Sequence, residues 1–256
     1  MDIKMIAIDM DGTLLDDKKK ISADNKLAIK KALDQGIKVV LNSGRSYDGI
    51  IDSCHELGIS GGDQYIIEFG GNIIESLNKK IHYRKVLENT TCQEIAEQLT
   101  DEKITHILID TKGNIYDSYQ EWMEKRMLDP ELGIVKFLMH TRKHKLNALA
   151  AKLHQKFDQK FFIVITSPRD IELFPKDVNK GLALQKLAKR LKINMKQVLT
   201  IGDLDNDVPM LKLAGMGVAM ANSPQRIKDF ADDITLDNNH SGVAAAIKKY
   251  ALDEDK

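Results

Sequence analysis

The chain's clearest pattern is a recurrence of short apolar runs separated by segments with helical spacing. MIAI (5–8) has no polar interruption, as expected of a strand buried on both faces. SADNKLAIKKALDQG (22–36) predicts a helix, with Ser22 placed to cap it and Gly36 to end it. IKVVL (37–41) predicts a second buried strand, SYDGIIDSCHELG (46–58) a second helix and QYIIEF (64–69) a third strand. Strands that are apolar throughout, alternating with helices, argue for a parallel sheet covered on both faces.

The rhythm returns late in the chain. NKGLALQKLAKRL (179–191) carries apolar residues at 183, 184, 187, 188 and 191, which is helical spacing, and Asn179 is placed as its cap. QVLTIGD (197–203) predicts a strand ending in an acid, and GVAMAN (217–222) a short one. SPQRIKDFAD (223–232) starts as helices do, with serine then proline, and ITL (234–236) and a helix over 241–250 complete the series.

The middle has a different texture. TCQEIAEQL (91–99) and KHKLNALAAKLHQKF (143–157) predict helices. ITHILID (104–110), NIYDSY (114–119), IVKFLMH (134–140), FFIVIT (161–166) and IELF (171–174) predict strands, several joined as hairpins. Hairpins mixed with helices indicate an α+β unit. The expected organisation is therefore a discontinuous core over residues 1–81 and 179–256, with an inserted domain at 82–178.

Charge narrows the partners. The 256 residues hold 38 Lys plus Arg against 38 Asp plus Glu, a formal net charge of zero. That balance disfavours nucleic acid or an anionic membrane as the main partner. Cys54 and Cys92 are far apart and lack metal-site spacing, so two free thiols in a reducing compartment are expected. No apolar run approaches the roughly 18 residues of a membrane span, and no signal peptide is recognisable. The expectation is a cytoplasmic protein, monomeric or a weak homo-oligomer. The acidic end LDEDK reads as a solvated tail.

The unusual residues fall where the strands end. Asp9 and Asp11 follow the first strand, NSGR (42–45) the second, Lys180 opens a late helix, and GDLDND (202–207) follows a late strand. Ligands of open α/β sheets bind at the carboxyl ends of the strands. Each feature alone reads as a turn, a loop or a surface lysine; their placement at successive strand ends is what points to a site. Oxygen ligands suit a hard divalent cation such as Mg²⁺. His140 and His144 stand at i,i+4 spacing but have no third ligand, and are not read as a metal site. Lys180, the Ser43 hydroxyl and nearby backbone N–H groups suit phosphate oxygens, and a carboxylate can act as the nucleophile of phosphoryl transfer.

On an extended strand, residues 9 and 11 share a side. Two charges about 5 Å apart at an effective dielectric near 20 repel by roughly 3 kcal/mol, or about two pKa units. With a metal holding Asp9 ionised, Asp11 is the carboxyl expected to rise. Asp9 is therefore read as nucleophile and Asp11 as general acid and then base.

DMDGT with NSGR, NKG and GDLDND resembles the four motifs of the haloacid dehalogenase (HAD) superfamily of phosphohydrolases. GVAMANS and HSGVAAAI resemble its Cof-type (IIB) branch, which carries an α/β cap between the second and third motifs. The resemblance covers nearly the whole chain. It implies a Rossmann-like parallel-sheet core with an inserted cap that closes over the site, and Mg²⁺-dependent hydrolysis of phosphate monoesters of small metabolites, sugar phosphates foremost. It implies Asp9 as nucleophile and metal ligand, Asp11 as acid/base and ligand through its carbonyl, and Asp203 as the third ligand. Met10, Ser43, Gly44, Lys180 and Asn206 would contact phosphate; Asp207 would hold metal-bound water, and Arg45 would stand behind them. A phosphomutase on the same scaffold and a non-enzymatic phosphoacceptor module are the alternatives. The chain departs from its relatives at Gly70, where they often carry asparagine, with Asn72 two positions on, and at Leu204, where they often carry a small or polar residue.

Overall fold

A computed structural model describes residues 2–252 of the chain; the tail beyond Leu252, read above as solvated, lies outside the described residues. The chain divides into two compact units, one running to Tyr83 and resuming at Lys180, the other Arg84–Asn179.

In the first unit β1 (Met5–Ile8), α1 (Ala23–Asp34), β2 (Lys38–Asn42), α2 (Tyr47–Glu56) and β3 (Tyr65–Glu68) follow the predicted rhythm, and β4 (Ile73–Ser76) and β5 (Lys80–Arg84) extend it. The second unit holds α3 (Asn89–Asp101), β6 (His106–Asp110), β7 (Ile115–Tyr116), α4 (Tyr119–Leu128), β8 (Ile134–His140), α5 (Leu146–Phe157), β9 (Phe161–Ile165) and β10 (Asp170–Pro175). The first unit resumes with α6 (Lys180–Arg190), β11 (Val198–Gly202), α7 (Val208–Leu213), β12 (Met216–Ala219), α8 (Gln225–Lys228), β13 (Asp233–Ile234) and α9 (Gly242–Tyr250).

The sheet of the first unit runs β13-β12-β11-β1-β2-β3-β4-β5. It is parallel from β13 to β3, and β4 returns antiparallel to β3. Alternation along β1 shows why its sequence is apolar throughout. Ile6 and Ile8 pack with Ala28, Ile29, Ile50 and Val243 on one face. Met5 and Ala7 pack with Val40, Ala183, Leu184 and Met210 on the other. Each fully buried Ile contributes about 1.5–3 kcal/mol, and none of these side chains has a polar group to satisfy. Ser22 caps α1 as expected, accepting from the Asn25 N–H at 3.2 Å.

Register places the site. Ile8 pairs with Leu41 on one side and Ile201 on the other. The residues that leave β1, β2 and β11 therefore emerge at one level of the sheet.

In the second unit the sheet order is β7-β6-β8-β10-β9, with antiparallel pairings. One face packs Leu108, Phe137, Met139, Ile163 and Leu173 against Cys92, Ile95, Trp122 and Leu153 of the helices. The opposite face carries a buried Lys136–Glu172 ion pair at 2.5 Å.

The sequence reading missed β4, β5, α4 and α7. β5 alternates charged and apolar residues with little burial, and α4 fully buries only Trp122, with Tyr119 and Met123 partly buried beside it, a short stripe among charged residues. The helix expected over 223–232 is a single turn, Gln225–Lys228. Cys54 and Cys92 are free and buried. Among the described residues no helix is long and apolar enough to cross a membrane.

Candidate active site

Asp9 leaves β1 with its N–H still bonded to the Ile201 carbonyl at 3.0 Å, so the sheet fixes its backbone. The chain then turns rather than continuing extended: Leu14 N–H returns to the Asp9 carbonyl and Leu15 N–H to the Met10 carbonyl. Gly12 makes that turn possible. Its φ is +80°, and a Cβ there would stand 2.5 Å from an Asp203 carboxylate oxygen. Only glycine provides both the left-handed backbone and the clearance.

Three carboxylates meet at these strand ends. Asp9, Asp203 and Asp207 are buried, and one oxygen from each lies within 4.8 Å of the others. The Lys180 ammonium, itself buried, is hydrogen-bonded to Asp9, and lies 2.6 Å from Asp207. Asp207 is held from its other oxygen by the N–H groups of Asp203 (2.9 Å) and Leu204 (3.2 Å). Asp203 accepts from the Thr13 hydroxyl at 3.1 Å, which ties β11 to the turn after β1.

Burial dominates the electrostatics. It pushes Asp9 up to about 7, Asp207 adding repulsion that Lys180 only partly offsets. Burial, then Asp9 and Asp207, push Asp203 up to about 8. Burial alone would lower the Lys180 ammonium, but Asp207 and Asp9 overcome it and hold Lys180 above its ordinary value.

Asp11 is the exception, and the expectation of a raised carboxyl is corrected. It lies past the start of the turn and is half-exposed. Arg45 grips it with two bonds, Nε to Oδ2 at 2.8 Å and Nη2 to Oδ1 at 2.7 Å. Lys19 adds a third at 2.6 Å. Burial raises this carboxyl, but Arg45 and Lys19 outweigh it and hold Asp11 below its usual range. The repulsion argued from spacing assumed an extended strand and no cation.

The remaining expected residues fall around the same strand ends. Met10 is fully buried, and its backbone N–H lies against the Asp9 carboxylate. Ser43, also buried, bonds through its N–H to the Ile67 carbonyl, and its hydroxyl accepts from the Arg45 N–H at 3.2 Å. Gly44 follows it, half-buried. Asn206 is half-buried on the 3-10 turn Asp205–Asp207. Gly70 has φ +69°, a region that asparagine and glycine both tolerate, which explains why one replaces the other there. Its N–H bonds to the Ser43 carbonyl at 2.8 Å. Asn72 is fully buried.

The match to known proteins follows this geometry. A family model described as haloacid dehalogenase-like hydrolase covers residues 6–247. The chain belongs to that family. Among curated relatives, the 5-amino-6-(5-phospho-D-ribitylamino)uracil phosphatase YcsE of Bacillus subtilis is 34% identical, over 98% of this chain and 97% of its own. A phosphoglycolate phosphatase of Methanobrevibacter smithii is 28% identical, over 98% and 100%. The crystal structure of a haloacid dehalogenase-like hydrolase from Bacteroides thetaiotaomicron superposes with a TM-score of 0.79 at 31% identity, covering 96% of this chain and 99% of that one.

Within this family frame, Lys19 is the residue that sequence reasoning passed over. It lies in a run of three lysines, 18–20, and nothing in the run marks which one turns back. Thr13 is a second: it closes the DMDGT run and bonds to a carboxylate of the site. Its bond to Asp203, 190 positions away, has no local signal.

Proposed function

We infer that the protein is a Mg²⁺-dependent phosphatase that hydrolyses phosphate monoesters of small metabolites, sugar phosphates foremost, through an aspartyl-phosphate. One observation carries the reading: Asp9, Asp203 and Asp207 converge in a buried site around the single ammonium of Lys180. Three carboxylates and one lysine leave a net negative charge, and an all-oxygen donor set matches a hard divalent cation. Asp9 and Asp203, with the Asp11 carbonyl, would hold Mg²⁺, which would supply charge neutralisation at the phosphoryl oxygens.

In the first half-reaction an Asp9 carboxylate oxygen attacks phosphorus, the P–O bond to the leaving group breaks, and the leaving oxygen takes a proton from Asp11. In the second, Asp11 accepts a proton from water, the water oxygen bonds phosphorus, and the bond to Asp9 breaks, giving inorganic phosphate. Lys180 and Ser43 hold phosphoryl oxygens, with backbone N–H groups of Met10 and Gly44 and the Asn206 amide. The general-base role fits Asp11 as it stands, ionised between Arg45 and Lys19. The general-acid role requires it to gain a proton first, which the approach of a leaving-group oxygen that loosens the Arg45 bonds would favour.

The two phosphatases named above act, by their names, on very different phosphate esters, which supports shared phosphate chemistry with a separately chosen leaving group. The test is inorganic phosphate released from a panel of sugar phosphates and other small monoesters with Mg²⁺. Release that Asp9→Asn abolishes is expected. No release above background, or undiminished release from Asp9→Asn, refutes the reading.

A further inference from the structure

Asn42 is the last residue of β2, directly before Ser43, and it is fully buried. Alternation along β2 puts Leu41 on the α1/α2 face and Val40 with Asn42 on the face covered by α6 and α7. An apolar residue there would cost nothing to bury. The asparagine instead donates from Nδ2 to the backbone carbonyl of Lys180 at 3.2 Å, with the Met210 sulfur 3.6 Å away. Its Oδ1 is buried and has no hydrogen-bond partner among the described residues. A buried acceptor left unsatisfied costs about 1–3 kcal/mol. The Lys180 carbonyl, in the first turn of α6, already lies in reach of the helix's own i→i+4 bonding. So the Nδ2 bond is not needed to satisfy that carbonyl.

What the bond does is mechanical. It joins the strand end that carries Ser43 to the helix start that carries Lys180. Those two side chains come from distant parts of the sequence, and under the phosphatase reading both hold the transferred phosphoryl group. We propose that Asn42 is a positioning residue that fixes the Lys180 ammonium relative to Ser43 and Asp9. It touches no substrate. It acts through the backbone of Lys180, and the inference rests on the reading given under Proposed function.

The test is steady-state kinetics of Asn42→Ala and Met210→Leu with the best substrate of the panel, at a temperature where circular dichroism shows each variant folded. Asn42→Ala is expected to lower kcat about tenfold or more while KM moves less than about threefold. A displaced ammonium costs most where phosphoryl charge is greatest, in the transition state. Met210→Leu removes only the sulfur neighbour and keeps kcat within twofold. Asn42→Ser, which also cannot reach the Lys180 carbonyl but leaves a smaller cavity, repeats the kcat loss if Asn42→Ala does not fold. A folded Asn42 variant with kcat within twofold of wild type and only a lowered Tm overturns the proposal and leaves the phosphatase reading intact. So does an equal loss in Met210→Leu, which would make the effect one of general packing. Absence of wild-type turnover refutes the phosphatase reading itself, and the positioning role falls with it.

Discussion

Replacing Glu68 by glutamine should make the protein more stable at high pH and leave it nearly unchanged at low pH. Glu68 ends β3 and is 2% exposed. Across the antiparallel pair Ile66 faces Glu75 and Glu68 faces Ile73, so the two glutamates stand diagonally on one face. Burial, then the charge of Glu75 and a hydrogen bond to it, push Glu68 up to about 8 from 4.5. Glu75 is raised too, by burial first. Asp48 adds repulsion to both, Lys79 draws Glu75 down, and the Tyr47 N–H at the start of α2 donates to Glu68. That last bond matters because Ser46 makes no side-chain cap there.

A carboxyl whose folded pKa is raised holds its proton in the folded state after the unfolded chain has lost it. Stability is therefore full below about 4.5 and declines as pH rises to about 8. Moving from 4.5 to about 8 at about 1.4 kcal/mol per unit gives an upper bound of about 5 kcal/mol for the pair, and water around half-exposed Glu75 brings it to about 2–4 kcal/mol. Glutamine keeps an acceptor for the Tyr47 N–H and a donor for Glu75 but cannot ionise. Urea unfolding of both proteins at pH 5, 7 and 9, followed by circular dichroism, measures the effect. The single tryptophan, Trp122, belongs to the second unit and reports on that unit separately. Equal loss of stability with pH in both proteins, or a variant weaker than wild type at pH 9, refutes the argument.

Two further outcomes follow from the site. Mg²⁺ at about a hundredfold its dissociation constant should stabilise the first unit by about 3 kcal/mol, raising Tm by roughly 5–10 °C in a thermal melt reversed by EDTA; an unmoved Tm counts against a carboxylate cation site. Gly12→Ala should abolish phosphate release and destabilise the protein by about 1–3 kcal/mol, since its φ is +80° and the new methyl meets Asp203 at 2.5 Å; near-normal turnover would mean the turn adjusts freely.

The sequence made the first unit readable because its strands are buried on both faces. A run such as MIAI can be little else, and Ser22 and Gly36 mark the limits of α1. Where burial is slight the signal fades. β5 exposes most of its residues, and α4 fully buries only Trp122, so packing rather than pattern defines them. The site was legible as a set of residue types at strand ends, and the level register of Ile8, Leu41 and Ile201 is what turns that set into one place. Partners joined across the chain were not legible. Spacing could suggest that Asp9 and Asp11 were close, but not that Asp203 would pack against Gly12, nor that Arg45 and Lys19 would come to Asp11.

That sorting of the two acids bears on the chemistry. Asp9 is buried and held up near 7, whereas Asp11 is half-exposed and held below its usual range. In the proposed mechanism the nucleophile must be ionised and the general acid must carry a proton, so the resting structure sets both groups against the first-step roles proposed for them. Each opposition has a specific remedy. The divalent cation proposed at Asp9 and Asp203 would favour the ionised form of Asp9. Loss of the Arg45 and Lys19 bonds removes the two interactions that keep Asp11 charged. The first change needs the metal and the second needs something to displace two cations, which a bound leaving group can do and bulk water, already present at this half-exposed carboxylate, does not. Under the mechanism proposed above, the ion pairs on Asp11 would couple proton donation to occupancy of the site by an ester and keep the base form ready for the water step, where the leaving group has already gone.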